Sequence, residues 1–452
     1  MFQKVLVANR GEIAARIIEV LNAQDIVSVA VHSEADKNAP HVRLASESYN
    51  LGGTSVRESY LNGALIIDIA KRSGATAIHP GYGLLSENSE FARNCTQSGI
   101  TFIGPSANII DMMGDKAAAR QAAIDAGVPV VPGSDGIIET FEDAQKCADQ
   151  LGYPVLIKAA GGGGGIGMAL VKRPEKLERA FESCRDRGAA SFGNPAVYME
   201  KYIQSPRHIE VQILGDQHGH LVHLFERECT IQRRHQKVIE EAPSAYVSSI
   251  PGLRDKICGA ALNLARNVGY TNAGTVEFIA GSDGHFYFIE MNTRLQVEHP
   301  VTEMVTDVDI INWQLRIAHG EALSLKQAEI GLNGHAIECR LYAEDPLKKF
   351  IPKPGPLTHF DWRAMDHVRV DSGYHAPTEV TPFYDPMVAK LSASDINREA
   401  AITRMSAFLE TVNISPLVTN LDLLKKVLEH DDFKGHQVDT QWLEKFAKTL
   451  TQ

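Results

Sequence analysis

Residues 154–168, Pro-Val-Leu-Ile-Lys-Ala-Ala-Gly-Gly-Gly-Gly-Gly-Ile-Gly-Met, decide how this chain is read. An apolar run ends in Lys158 and passes directly into six glycines within seven positions. Glycine has no Cβ, so its backbone can approach a ligand closely and turn N–H groups toward it. A cation at the end of a strand beside such a loop suits a polyphosphate. No Gly-Lys-Ser/Thr closes the run, and no G-x-G-x-x-G opens a helix, so neither a P-loop nor a dinucleotide fingerprint is present. The plain alternative is a flexible linker. Linkers are polar Gly/Ser mixtures, whereas this run is framed by Val155-Leu156-Ile157 and Met168-Ala169-Leu170. A strand–glycine loop–strand flap over a nucleotide fits better.

A chain of 452 residues is too long for one core and predicts two to four domains. With 44% apolar and 22% charged residues it has the composition of an ordinary globular protein. Its net charge of −11 argues against non-specific nucleic-acid binding while leaving room for a local anion pocket. No signal peptide is expected before the first strand pattern, and no unbroken apolar stretch in the sequence is long enough to cross a bilayer. Six scattered cysteines with no Cys-x-x-Cys pair read as reduced, mostly buried thiols. The expected compartment is the cytoplasm, with no membrane partner.

The first third alternates strand and helix signals. Lys4–Ala8 reads as a short buried strand. Asn9-Arg10-Gly11-Glu12 turns into a helix carrying Ile13, Ile17, Ile18 and Leu21. Strands at 27–31 and 75–78 and a helix over 60–71 follow. This order predicts a parallel, doubly wound sheet, with His79-Pro80-Gly81-Tyr82-Gly83 at its carboxyl edge, where ligands of such folds bind. A second unit starts near Met113-Gly114-Asp115-Lys116 and holds the glycine loop, the strand pattern 208–214 and a hairpin over 274–292. A third begins around Gly334 and mixes short strands with two terminal helical stretches.

In the hairpin, Glu277 and Glu290 flank Gly-Ser-Asp-Gly. If the turn centres on Asp283-Gly284, the two glutamates lie directly opposite each other. Opposed carboxylates repel unless a cation lies between them, and Mg²⁺ suits one or two carboxylates plus substrate phosphates. Asn292 falls on the same face. Two exposed surface glutamates are the plain alternative, weakened by the neighbouring glycine loop. Downstream, Arg294, Gln296 and Glu298 alternate in a segment that places them on one side if it is extended. The arginine fork matches a small carboxylate-like anion, and the glutamate could act as a base. The polar run 232–241 contains Gln232, His235 and Lys237. It reads as a binding strip rather than a solvated face, because an acidic pair and apolar flanks adjoin it. His208 reads equally as a structural histidine or a ligand contact. The metal pair, the glycine flap, Lys116 and Lys158 together describe Mg·ATP beside a small anion.

With these motifs in order, the sequence resembles the biotin carboxylase branch of the ATP-grasp superfamily over essentially its whole length. The resemblance is carried by Val-Ala-Asn-Arg-Gly-Glu-Ile-Ala (7–14), His-Pro-Gly-Tyr-Gly-Leu-Leu-Ser-Glu-Asn (79–88), Phe-Ile-Gly-Pro (102–105) and the lysine–glycine loop. It continues through Pro-Arg-His-Ile-Glu-Val-Gln (206–212), Gln-Arg-Arg-His-Gln-Lys-Val-Ile-Glu-Glu (232–241) and Glu-Met-Asn-Thr-Arg-Leu-Gln-Val-Glu-His (290–299). It implies an α/β and α+β architecture: an N-terminal doubly wound domain (1–113), an ATP-grasp domain (114–330) with a mobile glycine-rich lid (131–203), and a C-terminal mixed α/β domain (331–452).

The resemblance further implies that Lys116, Lys158, His208, Gln232 and His235 contact ATP. Gly163, Gly164, Gly165 and Met168 would belong to the lid, with Glu200, Lys201 and Ile203 near the adenine. Glu277, Glu290 and Asn292 would hold Mg²⁺ or Mn²⁺. Lys237, Arg294, Gln296 and Val297 would hold bicarbonate, with Glu298 as general base, Arg340 stabilising the biotin enolate and Tyr82 close by. The implied reaction carboxylates biotin through carboxyphosphate.

No Ala-Met-Lys-Met biotinylation tetrapeptide occurs in the sequence, so the expected substrate is biotin on a separate carrier protein. A carboxyltransferase and a second copy of the chain are the other expected partners, and a subunit of acetyl-CoA carboxylase is the first reading of the assembly. Ile166, where many acetyl-CoA carboxylase subunits carry arginine, and Ser415-Pro416-Leu417-Val418-Thr419-Asn420 point toward a divergent branch, such as a propionyl-CoA, pyruvate, 2-oxo acid or urea carboxylase. Two other readings are an ATP-grasp carboxylate–amine ligase and a silent subunit. Lys237 with Arg294-x-Gln296-x-Glu298 favours bicarbonate over the former, and intact catalytic positions disfavour the latter.

Overall fold

The computed structural model describes residues 1–159, 167–192 and 194–450. They form two compact units, one of residues 1–128, 207–278 and 290–452, the other of 129–206 and 279–289.

The first unit opens with five parallel strands in the order Glu47–Asn50, Val27–His32, Lys4–Val7, Ala77–His79 and Thr101–Phe102. Val5, Leu6 and Val7 are fully buried, as a near-continuous apolar run in the middle of a parallel sheet requires. The helix Gly11–Ala23 buries Ile13, Ile17, Ile18 and Leu21. The expected helix over 60–71 spans Gly63–Ser73 instead, because the Asn62 side chain accepts the Leu65 N–H and so caps it there. Strand order reverses between Lys4–Val7 and Ala77–His79, so the turns that follow them diverge around one crevice. Asn9 Nδ2 ties those turns together by donating to the carbonyls of Pro80 (2.6 Å) and Tyr82 (2.8 Å).

The larger sheet has eight strands in the order Phe286–Asn292, Asn272–Ala280, Arg207–Gly215, Leu221–Arg233, Gln236–Ala242, His335–Tyr342, Met387–Asp395 and Val368–Ser372. Gln236–Ala242 pairs antiparallel with His335–Tyr342, which pairs in turn with Met387–Asp395. The stretch after Gly334 therefore continues the same sheet as the strands before it.

In the second unit, Val155–Ala159 is central and antiparallel to both Met168–Val171 and Val197–Lys201. Val155, Ile157, Val171, Val197 and Met199 pack with Phe181 of the helix Leu177–Phe192. The strands flanking the glycine run are thus as expected, with Lys158 opposite Met168. The lid glycines Gly163, Gly164 and Gly165, with Ile166, lie outside the described residues. The expected two-residue turn at Asp283-Gly284 is a longer loop. Gly281 N–H donates to the His285 carbonyl at 2.9 Å, and the Asp283 side chain accepts the His285 N–H at 3.1 Å. All six cysteines are free. Among the described residues, no helix is long and apolar enough to cross a membrane.

Glu241 anchors the helix Arg398–Leu409 to the large sheet. Its carboxylate accepts from Arg398 at 2.6 and 3.0 Å and lies 2.9 Å from His335 Nε2. Burial pushes this carboxyl up, but Arg398 and His335 outweigh it and hold it at about 2. A depressed carboxyl stabilises the fold above its unfolded value of 4.5, and that contribution is lost as pH falls toward about 2. Glu241→Gln should therefore cost about 3 kcal/mol near neutral pH. Thermal scans should show the gap to wild type narrowing below about pH 4.5.

Candidate active site

The site is built on the large sheet of the first unit. Alternation along Arg207–Gly215 puts His208, Glu210 and Gln212 on one face, and register sets Glu210 opposite Arg227. Arg227 is fully buried. It donates to Glu210 (2.5 Å), Gln212 (2.8 Å), Thr302 (3.0 Å) and Thr275 (3.1 Å).

Lys237 enters from the strand Gln236–Ala242, and its ammonium contacts three carboxylates: Glu210 at 2.5 Å, Glu277 at 2.8 Å and Glu298 at 2.6 Å. Burial alone would lower its pKa, but those three charges raise it well above the ordinary lysine value. Glu298 is fully buried and also accepts from Arg340 at 2.8 Å. Burial pushes its carboxyl up, whereas Lys237, Arg340 and Arg227 together pull it well below the usual range. It is an ionised group held by its own cations.

Glu298 lies at the N-terminal boundary of the helix His299–Thr306, with Pro300 in the first turn. The connection from Asn292 to it bends rather than staying extended, since Glu298 has φ −81° and ψ 14°. Arg294 and Gln296 nevertheless meet: Arg294 Nη1 donates to Gln296 Oε1 at 2.8 Å, and its Nη2 donates to Asn292 Oδ1 at 2.7 Å. Glu87 fixes the far side of Arg294 at 3.1 Å and accepts the Thr293 N–H. Val297 gives its carbonyl to Lys390 at 2.8 Å.

Glu277 accepts from Asn292 Nδ2 (2.8 Å) and Gln296 Nε2 (2.9 Å) and lies 2.9 Å from His208 Nε2. Burial pushes its carboxyl up, but Lys237 and His208 hold it well below normal. Glu290 is exposed, yet partial burial of its carboxyl and the charge of Glu277 raise it. Two hard oxygen donors that destabilise one another suit a divalent cation. Tyr82 donates to Glu12, whose other oxygen lies 3.1 Å from Lys390. Gln232 is buried, and His235 is exposed at the turn after Arg233. Lys116 is exposed in the first turn of its own helix, Lys116–Asp125. In the second unit, Lys158 pairs with Glu200, Lys201 Nζ donates to the Gly152 carbonyl at 2.7 Å, and Ile203 is half-buried. Met168 is exposed at the start of its strand.

Sequence reasoning assigned no role to Glu210, Arg227, Glu240 or Glu87. Glu210 carried a signal, because it is two residues from His208 in a strand pattern. Glu226-Arg227-Glu228 carried another, as a run of charges inside an apolar strand.

A Rossmann-like crevice, a large antiparallel sheet bearing paired metal-type carboxylates, and a small three-stranded unit carrying a lysine define an ATP-grasp enzyme. The family profiles agree. The biotin carboxylase N-terminal domain matches residues 1–110, the ATP-binding domain of the carbamoyl-phosphate synthase L chain matches 115–326, and the biotin carboxylase C-terminal domain matches 338–445. Biotin carboxylase 2 of Bacillus subtilis is 53% identical over 98% of this chain and 99% of its own. A pyruvate carboxylase subunit of Methanothermobacter thermautotrophicus is 46% identical over 100% of this chain and 91% of its own. The solved biotin carboxylase domain dimer of Hydrogenobacter thermophilus 2-oxoglutarate carboxylase, in complex with magnesium ADP, ADP and bicarbonate, superposes with a TM-score of 0.89. It is 46% identical and covers 98% of each chain. The chain belongs to the biotin carboxylase family and is an ATP-dependent carboxylase.

Removing the central cation should expose the repulsion it offsets. Lys237→Met is expected to cost about 3–5 kcal/mol. Its remaining carboxyls would bind protons more tightly folded than unfolded, so the deficit should widen as pH rises from about 5 to about 8. Thermal scans across that range check both magnitude and sign.

Proposed function

We propose that this chain uses ATP to activate bicarbonate and then carboxylates biotin carried on a separate polypeptide. The supporting observation is Glu298, buried and ionised between Lys237 and Arg340, with the Arg294 fork on the same connection. Lys237, Arg294, Gln296 and Val297 hold bicarbonate. Its charge competes with the carboxylates for Lys237, which loosens the grip on Glu298 and raises its basicity. Glu298 takes the bicarbonate proton, and the bicarbonate oxygen attacks the γ-phosphorus as the bond to the ADP oxygen breaks. Carboxyphosphate then breaks down to CO₂ and phosphate, and the phosphate removes the proton from biotin N1. N1 attacks CO₂ while Arg340 stabilises the enolate oxygen, with Tyr82 close by.

His208, Gln232, His235 and Lys116 are assigned to ATP. Glu277, Glu290 and Asn292 would hold Mg²⁺ or Mn²⁺, which would offset phosphate charge there. The chain acts in the cytoplasm as a homodimer beside a biotin carboxyl carrier protein and a carboxyltransferase. Acetyl-CoA is the first candidate for the final acceptor. A second reading, a 2-oxo acid or acyl-CoA acceptor, is favoured by the relatives named for pyruvate and 2-oxoglutarate carboxylation.

Phosphate release from Mg·ATP and bicarbonate should rise on adding free biotin; no stimulation at high biotin would sink this reading. Glu298→Gln should abolish turnover while calorimetry still detects ATP binding. Arg340→Ala should reduce biotin carboxylation more than bicarbonate-dependent ATP hydrolysis, and equal losses would remove it from the carboxylation step.

A further inference from the structure

Behind Arg340 lies a second pair of carboxyls that the reaction above does not use. Glu240 and Glu338 are partners on adjacent antiparallel strands, and both are fully buried. Directly opposed residues of this kind have Cβ atoms about 4.5–5.5 Å apart. Glu338 Oε2 accepts from Ser392 Oγ at 3.0 Å. Glu240 Oε2 and Glu338 Oε1 are buried and accept no hydrogen bond, and Glu240 Oε1 faces Arg340. Two buried carboxylates with so few donors are costly, whereas one proton between them removes a charge and supplies a donor. Glu240 Oε1 also lies 2.5 Å from Arg340 Nη2, the nitrogen that donates to Glu298 Oε2 at 2.8 Å. Arg340 is therefore shared between the base and this pair.

We propose that Glu240 and Glu338 hold one shared proton, and that its release draws Arg340 toward Glu240 and frees Glu298 to act as a base. This rests on the reading of Glu298 given above and makes Glu240 and Glu338 positioning residues.

The groups facing the pair support the charge count. The strand Met387–Asp395 contributes Lys390, the helix Gly11–Ala23 contributes Glu12, and the strand of Glu240 contributes Lys237. Carboxyls Glu12, Glu240, Glu298 and Glu338 meet the cations Lys237, Arg340 and Lys390, with Arg227 also acting on Glu298 and Asp371 adding a further carboxyl beside Glu12 and Lys390; Lys237 is already shared with Glu210 and Glu277, and Arg227 with Glu210. His299, Cys229 and Cys339 add no charge: burial pushes His299 well down and the two thiols well up. Burial pushes Glu240 up to about 7, with Arg340 pulling against it and Glu298 adding to the rise. Burial also pushes Glu338 well above the carboxylate range, with Lys390 opposing and Glu240 adding. On release the proton passes to solvent. The proton Glu298 takes comes from bicarbonate, and the two events are linked by charge rather than by transfer.

Infrared titration of the ligand-free wild-type chain should show a protonated-carboxyl C=O band that disappears as pH rises through about 7. In Glu338→Gln this band should disappear at lower pH than in wild type. Bicarbonate-dependent ATP hydrolysis should rise about tenfold in kcat across the same interval, the factor one unit of coupling to Glu298 represents. In Glu240→Gln, fixed in the neutral form, that inflection should vanish and kcat stay at its low-pH level. In Glu338→Gln it should move to lower pH, because Glu240 then lacks its like-charged partner. A merely structural role would leave the inflection in place in both variants. An unchanged profile in both, or no titrating carboxyl band in wild type, would overturn the proposal. If wild type hydrolyses no ATP with bicarbonate, the functional reading fails, and the infrared titration still decides whether the proton is shared.

Discussion

Lys237 is the cation on which the rest of the site depends. Three carboxylates from three different parts of the chain converge on one ammonium. Without it, Glu210, Glu277 and Glu298 would be like charges packed in a low-dielectric interior. In that setting they would take up protons rather than stay ionised. Glu298 is held as an anion by Lys237 and Arg340, and in the proposed reaction it becomes a base only when a second anion competes for the lysine. The same contact thus stabilises the resting fold and, on that proposal, delays the chemistry.

Arg227 extends this arrangement below the sheet surface. Its guanidinium donates to oxygens on two other strands and a helix, so Glu210 is oriented from behind while Lys237 engages it from the front. Buried ion pairs seldom add much net stability, but losing one partner is expensive. Their contribution here is geometric. They fix where each carboxylate oxygen points, and a base must be aimed before it can take a proton.

Much of this was legible in the sequence. The parallel sheet could be read from apolar runs separated by helical periods, and the glycine run was bracketed by two strands as its apolar frame required. The alternate spacing of Arg294, Gln296 and Glu298 singled these residues out, and the first two do meet, but the connection bends at Glu298 instead of staying extended. What the sequence did not disclose were contacts between residues far apart along the chain. Lys237 could be seen as a cation in a polar strip, but its three partners lie at 210, 277 and 298, and only the folded sheet brings them to it. Glu240 opposite Glu338 was equally invisible, because neither residue is unusual until the strands pair. Local turn chemistry misled on a smaller scale. Asn62 moved a helix start by capping, and Asp283 closed a longer loop where its dipeptide with Gly284 suggested a tight one.

The eight-stranded sheet has a consequence for how this chain can be divided. Gln236–Ala242 carries Lys237 and Glu240, and its outer neighbour, His335–Tyr342, comes from the last third of the sequence. A fragment ending before residue 335 would leave that strand with a row of unpaired backbone N–H and C=O groups along a hydrophobic edge. Such an edge is a template for pairing with other chains. Cutting the chain there would therefore do more than remove Arg340. It would turn the strand bearing the central lysine into an aggregation surface.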